Sequence, residues 1–190
     1  ALFVAIEAGL LTLFSGLGLL LAREISHRLL APAPLLAALL RAAFGLGAAA
    51  ALGLAGWSFA SEAEPYRHLW LLALAAPLLL WVPTASGLWL GEGRMGPLNL
   101  PQVAAPALVL LGLGAIALWR PAAGASVLAV PAPWAGAKAL VGVATAIAAT
   151  RDAGPASPDA AALRREWRFV AVIGLTNVVS LLNYRATLFL

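Results

Sequence analysis

The chain has 190 residues, 63% of them apolar and 11% charged, with a mean hydropathy of +0.94. A soluble domain is roughly a quarter charged, and one core of this size cannot hide so much apolar surface, so a water-soluble globular fold is excluded. There is no cysteine, which excludes disulfides, iron–sulfur clusters and thiolate metal sites. The net charge of +4 rests on basic residues placed between apolar blocks, a mark of membrane topology and not of nucleic-acid binding.

A membrane-crossing helix needs about 20 mainly apolar residues. Six blocks qualify, all within a single transmembrane domain, residues 1–190. The first covers residues 2–22 and ends at Arg23-Glu24. It opens in mid-run at Ala1, so further N-terminal sequence is expected, and no small-residue cleavage site follows it, which argues against a signal peptide. The second covers 35–60, led in by Pro32-Ala33-Pro34. The third covers 69–90 and contains Pro77 and Pro83. Each proline removes an intrahelical hydrogen bond, so this helix is predicted to be kinked. The fourth covers 101–119, with Pro101 suited to a first helical turn. Residues 120–134 are rich in Pro, Ala and Gly. A surface loop is the expectation there; the alternative is a re-entrant dip, which would need protein around its backbone groups. The fifth block covers 134–150. The sixth covers 166–188, extended by 159–165 with Asp159 as N-cap. No block shows the alternation of a barrel strand. The fold class is therefore all-α: a polytopic integral membrane helical bundle.

The loops at 23–34, 91–100 and 150–165 fall on one side. With Arg168 they carry Arg23, Arg28, Arg94, Arg151, Arg164, Arg165 and Arg168, against Arg67, Arg120 and Arg185 on the other, which also holds Glu62 and Glu64. That imbalance places the first side in the cytoplasm and both termini outside, with a bacterial inner membrane as the expected location. Trp57, Trp70, Trp119 and Trp134 would then mark the outer interface, and Trp89 and Trp167 the inner one.

Lipid is as apolar as leucine, so close approach of small residues, rather than burial alone, holds such helices together. The second span carries Gly45, Ala49 and Gly53 at spacing four, beside Gly47, Ala51 and Ala55. The fifth carries Gly142 and Ala146, and the first Ser15, Gly16 and Gly18. A tight contact is expected foremost on the second span. The expected partners are the lipid bilayer, other membrane subunits or a second copy through such faces, and no nucleic acid.

Ionisable groups inside a membrane are costly and so are candidates for function. Glu7 and Lys138 lie at matching depth from the outer face and can form an ion pair, which either lines an ion path or pins two helices. Lys138 could instead snorkel to the headgroups. Arg41 either snorkels likewise or contacts an anionic substrate from inside the bundle. Asn177, beside Thr176 and Ser180, is either an interhelical hydrogen-bonding residue or a solute ligand. Broken helices build the substrate sites of many transporters, so Trp81, Pro83, Thr84 and Ser86 are candidate substrate-binding residues, with Thr84 and Ser86 able to satisfy freed carbonyls. His27 and His68 are separated by one crossing and face opposite sides, so this chain alone cannot supply a bis-histidine haem; the cofactor is unknown. His68 with Glu62, Glu64 and Tyr66 is a weak metal or proton site. No catalytic motif or paired carboxylates appear.

Lys138, Arg151 and the run Leu163-Arg164-Arg165 resemble the pattern of the bacterial copper-resistance D membrane domain, over under a third of the chain. The glutamate of that pattern is displaced here to Glu166, methionine and histidine are sparse, and no site residue is carried over. The leading functional expectation is a non-catalytic subunit or scaffold of a larger membrane assembly. The alternative is a small-solute or ion transporter or channel with its site near the kink of the third span, and a membrane enzyme or redox subunit ranks third.

Overall fold

The structure, a computed structural model, describes residues 2–27, 31–62, 66, 68–119 and 130–187. The stretch 120–129 and the side chains of Arg28, Glu64, Arg67, Trp119, Arg120 and Arg185 lie outside what it describes. Among the described residues every long regular element is a helix: α1 (Leu2–Ser26), α2 (Pro32–Ala60), α3 (Leu69–Leu79), α4 (Trp81–Gly91), α5 (Met95–Trp119), α6 (Pro131–Ala153) and α7 (Ala160–Thr187). Five helical segments are long and apolar enough to cross a bilayer: Ala5–Ser26, Pro32–Ala60, Leu69–Gly91, Met95–Leu118 and Pro131–Ala153. The protein is an all-α membrane bundle.

Local chemistry explains where the helices begin. α2 and α6 open on Pro32 and Pro131, whose missing N–H costs nothing in a first turn. α5 starts at Met95, six residues before the expected Pro101, which sits inside the helix with Pro106. Asp159 caps α7: its Oδ1 accepts from the N–H groups of Ala161 and Ala162, both at 3.0 Å.

The third span is interrupted at Leu80, between its two prolines. Pro83 has no N–H for the carbonyl of Leu79, four residues back. The next bond is stretched: the Thr84 N–H reaches the Leu80 oxygen at 3.4 Å, and the Thr84 hydroxyl donates to that same oxygen at 2.7 Å. Thr84 thus reinforces the weakened carbonyl beside the freed one, while Ser86 takes no part in the repair.

Packing between helices is set by glycines. A Cβ at Gly18 would strike the Pro83 carbonyl, and one at Gly87 the Gly18 carbonyl, so α1 and α4 meet backbone to backbone. Gly16 and Gly174 seat α7 on α1 against Val170 and Leu13, Gly47 seats α2 on Ala76–Pro77, and Gly142 seats α6 on Leu78. In these pairings α4 runs parallel to α1, with Gly18 at Pro83 and Gly91 at Ala22, while α7 runs antiparallel to α1 and returns to the end of the bundle where α1 began. The tight contact expected on α2 is present at Gly47, while Gly45 and Gly53 of the neighbouring ladder face open space. The main core lies between α1, α2, α4 and α7, around the fully buried Leu20, Leu35, Leu39 and Leu88.

The third span is central and packs against α1, α2, α5 and α6; among the described residues α7 rests on α1 and α2, and α5 mainly on α4 and α6. One end of the bundle gathers the charges. Arg23 bridges Glu24 and Glu166, with its guanidinium 4.2 Å over the Phe169 ring, and Arg94 bridges Glu92 and Asp152, both at 3.0 Å. Trp89 is corrected here: it is buried, and its indole donates to Asp152 at 2.8 Å, so it ties α4 to α6 rather than facing headgroups. Trp57, Trp70 and Trp167 are exposed.

Candidate functional site

A partly enclosed cavity of about 390 Å³ lies between α1, the broken third span, α5 and α6. This is within the ~300–1,000 Å³ of small-molecule sites. The break places one of its walls, where Pro83 and Ser86 face in, with Leu79 and Val82 on the same side. α5 contributes Pro101, Gln102, Ala105 and Pro106. α1 and α6 contribute Glu7 and Lys138, each with an apolar neighbour one turn on, Leu11 and Val141.

Glu7 is the unusual group of this cavity. It is 6% exposed, and its Oε1 lies 2.8 Å from Lys138 Nζ. At that distance the ammonium and the carboxylate form a close, charge-balanced pair. A carboxylate has about four lone-pair sites, more than Lys138 occupies, which makes Glu7 the point of the wall most able to accept a hydrogen bond from a bound molecule.

The other candidate residues are dispersed. Trp81 turns to a second groove, where its indole donates to the Leu40 oxygen at 3.0 Å and its ring lies 6.0 Å from that of Phe44. Thr84 is wholly buried against α1. Asn177 lies on the α1–α7 seam, where its Nδ2 donates to Ser15 Oγ at 2.8 Å while that hydroxyl donates to the Thr12 oxygen at 2.7 Å. Arg41 is exposed on the outer face of α2 beside Phe44. Only Pro83 and Ser86 of the proposed lining therefore share the cavity, and it is Glu7 and Lys138 that join them. No family model, curated protein or solved structure matches this chain.

Among the described residues, no group of three His, Cys, Asp or Glu side chains is placed to hold a metal ion. His27 follows α1 and His68 precedes α3, at opposite ends of the bundle. In the charged end layer the Glu92 hydrogen bond, then the Asp152 charge, raise the Arg94 guanidinium above its ordinary pKa against desolvation. This layer holds α4, the α4–α5 turn and α6 together, at a distance from the Glu7–Lys138 pair. Sequence reading missed Gln102, Leu79 and Val82; their signal was helical spacing from Pro83 and Pro101.

Proposed function

We propose that this is a bacterial inner-membrane protein of six crossings that binds a small solute in the cavity beside the third span and passes it along the bundle. Its arginine-rich end lies in the cytoplasm and both termini lie outside. One observation supports this above the subunit reading: the bundle is open, not packed, where a proline breaks the central helix, and the opening carries a buried carboxylate. Discontinuous helices at such depth are how many transporters expose polar groups to a solute.

Because the chain has no cysteine, single-cysteine variants test this directly. Ser86→Cys and Leu11→Cys in proteoliposomes should react with a charged, water-soluble methanethiosulfonate. Leu110→Cys and Leu111→Cys, on the exposed face of α5, should not. Reaction of Ser86→Cys with lipid-soluble maleimides alone would end the transport reading.

A second reading, a non-catalytic subunit of a larger assembly, is favoured by α5. Among the described residues this helix rests mainly on two neighbours and leaves Val103, Leu110 and Leu111 exposed. Purification in mild detergent separates the two readings: recovery of a partner at fixed stoichiometry supports the subunit, and recovery of this chain alone counts against it.

A further inference from the structure

We infer that the cavity takes an uncharged, largely apolar molecule bearing a hydroxyl group, an amphipathic alcohol that enters from the bilayer and donates its hydrogen bond to Glu7. This rests on reading the cavity as the solute site.

The head group follows from the Glu7–Lys138 pair. Glu7 lines the cavity, and its carboxylate keeps lone pairs that Lys138 does not use, so a ligand gains most by presenting a donor to it. Lys138 Nζ at 2.8 Å already balances the carboxylate charge. A cationic head would crowd the ammonium and an anionic head the carboxylate, each leaving a net charge in a low-dielectric site. An O–H donor bonds the carboxylate and adds no charge. The body follows from the rest of the wall, which is apolar apart from Ser86 and Gln102. The route follows from packing. α5 is held by α4 and α6, α1 and α5 make little contact across the cavity, and Gln102 and Pro106 on its α5 side are exposed. The gap between α1 and α5 therefore opens sideways, towards lipid.

The test uses the purified full chain in phosphatidylcholine nanodiscs, with an aliphatic alcohol carrying a diazirine in its chain and, in parallel, the methyl ether of the same alcohol. Both partition into lipid, but only the alcohol has a donor. After irradiation, labelled residues are identified by mass spectrometry. Wild type should be labelled at Val82, Pro106 or Val141 at least fivefold more by the alcohol than by the ether. The paired variant Glu7→Met/Lys138→Met removes the acceptor without stranding a charge; with its gel-filtration profile unchanged, its alcohol-to-ether ratio should fall to about one. Equal labelling by both probes in wild type, or a preference that survives in the paired variant, would overturn the inference. So would labelling confined to the lipid-facing Leu110 and Leu111. Alcohol-selective labelling with Ser86→Cys closed to water would leave this binding site standing and remove passage through it. Water access at Ser86→Cys without alcohol selectivity would remove the inference alone.

Discussion

The sharpest stability prediction concerns Gly18. The atoms a Cβ would meet there are the Pro83 carbonyl oxygen and carbon, and the reciprocal Gly87 meets the Gly18 carbonyl. All are backbone, so no side chain can swing aside, and α1 and α4 must separate. Overpacking costs ~1–3 kcal/mol, and the upper end applies because the strained contact lies beside the fully buried Leu17, Leu21 and Leu88. Replacing glycine by alanine inside a helix returns ~1 kcal/mol. Gly18→Ala should therefore destabilise the protein by about 2 kcal/mol, as ~3 of clash less ~1 of propensity. Gly45→Ala faces open space and keeps the gain without the clash, so the two variants should differ by about 3 kcal/mol. Titration with SDS in mixed micelles, followed by far-ultraviolet circular dichroism, gives both values. If the two variants shift the unfolding midpoint alike, the backbone contact between α1 and α4 is wrong.

Three further outcomes are expected from the same titration. Lys138→Met strands the buried Glu7 and should cost about 3 kcal/mol, the lower end for a broken buried pair because Lys138 is part-exposed; Glu7→Met/Lys138→Met should recover most of it. Thr84→Val should cost about 1 kcal/mol, for the hydroxyl bond to the Leu80 oxygen; a neutral result would mean that the stretched Thr84 N–H bond holds the break by itself. A double-mutant cycle over Ser15→Ala and Asn177→Ala should return a coupling of ~0.6 kcal/mol, ordinary for membrane helices, and zero coupling would deny the bond.

The helices were legible because each depends on its own residues: an apolar run, a proline in a first turn, Asp159 before α7. Helix neighbours were not. On α2 the ladders Gly45–Ala49–Gly53 and Gly47–Ala51–Ala55 are equally good in sequence, and only the arrival of Ala76–Pro77 from α3 selects Gly47. Trp89 has the position of an interfacial tryptophan, yet Asp152 from α6 supplies an acceptor for its indole and draws it inside. Neither outcome has a local cause.

The site was legible in part, for a geometric reason. Successive helical residues turn by about 100°, from 3.6 residues per turn. Trp81, Pro83, Thr84 and Ser86 therefore point in different directions and cannot line one cavity together. Pro83 and Ser86 fall about 60° apart, and Leu79 and Val82 complete the same ~100° sector, which is the wall observed. A wheel drawn through Pro83 selects these four and sends Thr84 to the opposite side, where it meets Gly18. Glu7, Leu11 and Gly18 likewise share one face of α1, so the close contact of Gly18 with α4 is what turns Glu7 towards the cavity. The backbone contact at Gly18 thus orients a carboxylate about three turns away on the same face of α1.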